Sequence, residues 1–269
     1  MPERTSRTIM PPTSAYPPWA VLHVPHDSAA VPPRARGQLL LDDAALQAEL
    51  VRMTDHHTHA LFAGSESVRV VRAPVSRLVV DVERFADDLM EPMAARGMGV
   101  IYERTSTLAR LRRQPTYAER ESLLDTYYWP HHEQLERSVA EALSAFGRCL
   151  VLDCHSFPST ALPYEQAPPG MHRPDICIGT DAFHTSQSLA RAFVEAFQRA
   201  GWSVAQDSPF AGALVPASRY QRDARVQAVM VEVNRGLYLD ERDGTRLPDF
   251  DRIAEAIRQC CKVALRAIT

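Results

Sequence analysis

Short, almost wholly apolar runs that stop abruptly at polar clusters constrain this chain more than any other feature. Ala20-Val21-Leu22-His23-Val24 is halted by Pro25. Cys149-Leu150-Val151-Leu152-Asp153 runs into Cys154-His155-Ser156, and Val226 to Val233 ends at Asn234-Arg235. Such runs lack the polar alternation of a half-exposed strand and are too short for a typical helix. They read as strands buried on both faces, which calls for a mainly parallel or mixed sheet covered by helices on both sides.

The intervening segments carry the helices. Asp42 or Asp43 caps a helix whose apolar side includes Leu46, Leu50, Met53 and Leu61, with Gly64 as its stop. A helical stretch over 116–146 contains Pro130, so it is two helices or one kinked helix. Leu189, Phe193 and Phe197 mark one face of a helix between 186 and 200, and an amphipathic helix over 250–268 closes the chain. Further strands are expected at 68–71, 78–81, 175–178 and 202–205, and residues 156–173 read as a loop. Residues 1–19, with Pro2, Pro11, Pro12, Pro17 and Pro18, read as a flexible arm. No repeat or clean linker interrupts 20–269, so one α/β domain with a central mixed, mainly parallel sheet is expected.

Composition removes several function classes. The formal net charge of −3 offers no basic field for nucleic acid. No apolar run approaches the roughly 18 residues of a membrane span. The first twenty residues lack the apolar core of a secretory signal, so a cytoplasmic location is expected. Of the 30 basic residues only Lys262 is a lysine, which argues against phosphate-loop, kinase and Schiff-base chemistry. The five cysteines include no CxxC, so they read as buried thiols and not as a disulfide framework or zinc ribbon.

Ligands in open α/β sheets collect beyond the carboxyl ends of the strands. Four such ends are polar here: His26-Asp27-Ser28, Asp81 with Glu83 and Arg84, Asp153 to Ser156, and Glu232 with Asn234 and Arg235. Histidines and carboxylates without CxxC suit a catalytic zinc held by three N/O ligands with one open position. Asp55 and His59 stand at i and i+4 on the first helix, where either one could reach a metal or simply face solvent. His131-His132 are adjacent on a helix and cannot both face one site. Ser156 and Cys154 flank His155 without the GxSxG elbow of a nucleophile. Glu232 interrupts an apolar strand, which is costly unless the carboxyl is paired or functional.

Together these segments resemble the N-formylglutamate amidohydrolase family. The resemblance rests on HVPHDS (23–28), TDHHTHALF (54–62), SRLVVDVERFADD (76–88), YYWPHHEQL (127–135), VLDCHSFP (151–158), PDICIGT (174–180) and VEVNRGLYLDE (231–241), in family order. It implies a fold like that of zinc carboxypeptidases and one zinc per chain. It also implies hydrolysis of a small anionic N-acyl amino acid, with release of formate from N-formyl-L-glutamate in histidine degradation. Hydrolysis of another N-acyl amino acid or cyclic amide, or anion binding without catalysis, stay open beside it. Carried over by position, His26, Asp55 and His155 match metal ligands, and Glu232 matches the general base. Arg77 and Arg84 match arginines for a substrate carboxylate, with Arg235 a weaker candidate for that duty. Glu83 stands where the family pattern has asparagine, next to Arg84, so it is expected to compete with an anionic substrate.

Overall fold

In the computed structural model the chain is described over residues 15–65, 67–168 and 170–268. Six strands make the main sheet: β1 (Ala20–Val24), β2 (Arg69–Arg72), β3 (Cys149–Phe157), β4 (Ile176–Gly179), β5 (Val204–Gln206) and β6 (Val226–Asn234). Their order is β2-β1-β3-β6-β4-β5. The first four in that order are parallel, β4 runs antiparallel to β6, and β5 is parallel to β4. The helices are α1 (Pro33–Arg36), α2 (Asp43–Met53), α3 (Thr58–Phe62), α4 (Tyr117–Leu123), α5 (Trp129–Phe146), α6 (Gln187–Arg199) and α7 (Phe250–Arg266). Among the described residues no helix is long and apolar enough to cross a membrane.

The two-residue period of the strands sorts the sheet into two faces. Leu22, Val24, Leu152, Cys154, Val229, Val231, Ile176 and Ile178 share one core with Leu189, Phe193 and Phe197 of α6 and Ile253, Ile257 and Cys261 of α7. On the opposite face Val21, Val151 and Ala228 pack against Leu135, Val139 and Ala142 of α5. Further along that second face the residues become polar: His23, Asp153, His155 and Glu232. All four are buried. The alternation that fills the core thus also delivers a polar cluster to the carboxyl ends of three parallel strands.

Several expectations change in the folded chain. The first helix is broken: α2 ends at Met53 and α3 begins at Thr58. Asp55 therefore sits in the break and not one turn from His59 on a common face. His57 holds a left-handed backbone there, with φ of 67°. Residues 78–81 do not form a strand: 77–79 turn, with Val79 N–H bonded back to the Ser76 carbonyl at 2.8 Å. β3 continues through Phe157 into the segment expected as loop. Asp42, not Asp43, caps α2 by accepting from Ala45 N–H at 2.8 Å. Tyr16 and Trp19, assigned to the arm, are buried in the main core. Residues 1–14 of the arm lie outside the described residues. The stretch around Pro130 is one run in which a π-helical turn, Leu124–Tyr128, precedes α5. A π turn there accommodates the proline's missing N–H without ending the helix.

Packing of α6 on the sheet predicts a large cavity cost. Phe193 is fully buried, whereas Leu89 is 94% exposed. Phe193→Ala is expected to lower unfolding free energy by about 3–5 kcal/mol. Leu89→Ala is expected to stay within about 0.5 kcal/mol of the parent. Urea unfolding followed by circular dichroism checks both, and equal losses would mean that α6 does not close the core.

Candidate active site

Backbone geometry brings distant segments together before any side chain is considered. Pro25 ends β1 and His26 follows in the loop, where its carbonyl accepts from Asp55 N–H at 2.9 Å. That bond stitches the α2–α3 break to the end of the first strand. Thr58 Oγ1 donates to the Asp55 carbonyl at 3.0 Å and holds the turn. On the sheet, His155 of β3 is the register partner of Glu232 of β6. Paired residues of adjacent strands share a face, so both side chains enter the same space.

Three buried side chains converge there. The ligand atoms of His26, Asp55 and His155 all lie within 4.8 Å of one another. Asp55 Oδ2 is 3.2 Å from His155 Nδ1 and 3.8 Å from His26 Nδ1. His26 Nε2 is bonded to Asp81 Oδ1 at 2.7 Å, which leaves Nδ1 buried and without a hydrogen-bond partner. His155 Nε2 is bonded to Asp153 Oδ1 at 3.1 Å and Glu83 Oε1 at 3.0 Å. Each histidine thus turns one ring nitrogen toward the triangle and ties the other to a carboxylate. That is the arrangement by which proteins orient metal-binding imidazoles. The unpartnered His26 nitrogen and the mixed His/Asp donor set fit a divalent metal such as zinc.

Electrostatics agrees with a site built for a cation. Burial works against the imidazolium of His155, but Glu83 and Asp153 overcome it and hold its pKa well above normal. His26 is pushed down by burial and by Arg77. Burial opposes ionisation of Asp55, but His155 and Arg235 keep it charged. Asp81 likewise stays ionised through Arg77 and His26. Glu232 is the exception: burial pushes its carboxyl up to about 8, and its Oε2 has no hydrogen-bond partner. A further chain of bonds leads away from the triangle. Asp153 Oδ1 meets His23 Nδ1 at 2.8 Å, and His23 Nε2 meets His131 Nε2 at 2.8 Å.

The cluster opens into a cavity of about 1020 Å³. Arg84 lines it and makes no side-chain hydrogen bond among the described residues; it pairs with Asp81 at 3.6 Å and Glu91 at 3.7 Å. Its Nε is buried and unpartnered. Arg77 also lines the cavity, but two of its nitrogens are committed, to Tyr102 Oη at 3.1 Å and Asp81 Oδ2 at 2.9 Å. Arg235 is spent on the protein. It donates to Asp55 Oδ1 at 2.7 Å, to the Arg52 carbonyl at 2.5 Å and to Ser156. Arg235 therefore holds the Asp55 carboxylate in place.

His26, Asp55, His155, Glu232, Arg77, Arg84 and Arg235 all line this one cavity. His59 is not among the lining residues. Glu83 lines the same cavity and pairs with His155, while the acids paired with Arg84 are Asp81 and Glu91. Two partners were not singled out from sequence. Asp81 clamps His26, although its polar position after an apolar run was visible. Asp153 clamps His155, and its spacing of two residues on one strand was the signal that both share a face.

The family model described as N-formylglutamate amidohydrolase matches residues 19–239. The fold is similar to that of the N-formylglutamate amidohydrolase from Ralstonia eutropha JMP134, with a TM-score of 0.80 and 21% identity over 95% of this chain and 94% of that one. It is also similar to gene product Atu2144 from Agrobacterium tumefaciens, with a TM-score of 0.66 and 19% identity over 93% and 90% of the two chains. No functionally curated protein matches the sequence significantly. With the family model spanning most of its length, this chain belongs to the N-formylglutamate amidohydrolase family.

Proposed function

We propose that this protein is a zinc-dependent amide hydrolase that releases formate from N-formyl-L-glutamate. The observation that carries the reading is the pair of unpartnered buried atoms in one cavity, His26 Nδ1 and Glu232 Oε2. Both belong to costly buried polar groups, and both are suited to chemistry that the folded chain alone does not use. The family supports an amide as the bond that is cut.

His26, Asp55 and His155 would hold the metal, with Asp81, Asp153 and Arg235 fixing their orientation. The chemistry a bound zinc supplies is Lewis-acid polarisation of the acyl oxygen and a positive field that lowers the pKa of nearby acids. Arg84 binds a substrate carboxylate, to which its guanidinium, held only by the longer ion pairs to Asp81 and Glu91, offers a two-point fork. Glu232 takes a proton from the water that adds to the formyl carbon. It then hands that proton to the amide nitrogen as the C–N bond breaks, leaving formate and the free amino acid.

Three substitutions test these roles. His26→Ala is expected to abolish stoichiometric zinc, measured by inductively coupled plasma mass spectrometry, and to keep the circular dichroism of the parent. A variant that retains full zinc would remove His26 from the ligand set. Glu232→Gln is expected to keep its zinc while kcat falls by roughly 10²–10⁴. Near-normal turnover would exclude Glu232 as the base. Arg84→Lys is expected to raise KM for N-formyl-L-glutamate by about tenfold or more, since a lysine ammonium cannot copy the fork. An equal rise for the corresponding neutral diamide would show that Arg84 serves only Asp81 and Glu91.

A further inference from the structure

Among the polar side chains that line the cavity and have no role in the proposed reaction is Tyr164. Tyr164 lies on the short turn Pro163–Glu165, within the segment that follows β3, and lines the same cavity as His26, Asp55, His155 and Glu232. Its backbone is pinned from both sides. The Tyr164 N–H donates to the Ser106 carbonyl at 3.2 Å, and its carbonyl accepts from Arg96 Nη1 at 3.0 Å. The next residue, Glu165, accepts from Leu162 N–H at 2.9 Å and pairs with Arg173. The ring packs against the cluster that contains Leu39, Leu46, Met98 and Tyr102.

The backbone of this tyrosine is therefore well anchored, yet its hydroxyl has no hydrogen-bond partner among the described residues. Arg77, Arg84 and Arg235 line the same cavity as the ring. Among the described residues, two of those arginines have donors to spare: Arg84 makes no side-chain hydrogen bond, and Arg77 leaves Nη1 uncommitted. A carboxylate accepts about four hydrogen bonds, so a guanidinium alone does not exhaust it.

We propose that the Tyr164 hydroxyl is a specificity-determining donor that shares the substrate's carboxylate with Arg84. The inference rests on the assignment of Arg84 as the carboxylate anchor. Burial pushes the pKa of the phenol up, so it stays a neutral O–H donor beside the anion it binds. A neutral donor beside an arginine fixes the direction of the carboxylate without adding a charge. The pinned turn means that this donor is positioned before the substrate arrives, which reduces the ordering cost of binding.

Tyr164→Phe deletes the hydroxyl and keeps the ring, and an unchanged melting temperature verifies the fold. In the zinc-loaded enzyme KM for N-formyl-L-glutamate is expected to rise roughly 10–100-fold, the worth of a hydrogen bond to a charged group, with kcat within about twofold. Affinity for L-glutamate, read by isothermal titration calorimetry, is expected to fall by the same factor. Loss of kcat at constant KM would move the hydroxyl to the reacting carbonyl and overturn the proposal. Unchanged KM and affinity would make Tyr164 a packing residue and overturn it as well. If the parent hydrolyses no N-formyl amino acid, the substrate reading fails on its own. Calorimetry with L-glutamate then still decides Tyr164: weaker binding by the variant supports it, and equal binding, or none by the parent, overturns it.

Discussion

One carboxylate, that of Asp55, joins the parts of this site. Oδ2 meets His155 Nδ1 and the Ser156 N–H, both at 3.2 Å, while Oδ1 accepts from Arg235 at 2.7 Å. Its own N–H reaches back to the His26 carbonyl. The loop after β1, the α2–α3 break, the end of β3 and the end of β6 therefore meet through a single residue. Its burial makes the arrangement strict: a buried carboxylate without partners costs several kcal/mol, so each of these contacts must be kept together.

The same reasoning explains the density of charge around it. Asp81, Glu83, Asp153 and Glu232 crowd the strand ends, opposed by Arg77, Arg84 and Arg235. Arg77 and Arg235 are absorbed in orienting carboxylates, and His155 takes up charge from Asp55, Asp153 and Glu83. Arg84 and Glu232 stand apart because Arg84 Nε and Glu232 Oε2 are buried without a hydrogen-bond partner. In a low-dielectric pocket such groups are expensive to keep, and sites of reaction are where folds keep them.

The sheet supplies the rigid frame. β3 and β6 pair along nine residues, and the polar half of that ladder is continuous with the apolar half under α5. A shift of one residue in register would move His155 to the face occupied by Leu152 and Cys154. The hydrophobic alternation that sets the register therefore also sets the chemistry.

Much of this was legible in the chain itself. The apolar runs specified buried strands because only a covered, largely parallel sheet hides such residues on both faces. The polar residues at their ends marked the site, because the carboxyl edge of such a sheet is where backbone ends and space coincide. The resemblance named His26, Asp55 and His155, but the residues alone could not order them. Only tertiary structure decided that Asp55 leaves its helix, since the bond from its N–H to the His26 carbonyl spans segments that local propensity cannot see. It also decided that residues 78–81 form no strand, because Asp81 is wanted by His26 and Arg77 more than by a neighbouring strand. It decided, too, how firmly each arginine is held. Arg77, Arg84 and Arg235 are alike in sequence, and the difference among them is the set of acceptors that folding brings within reach.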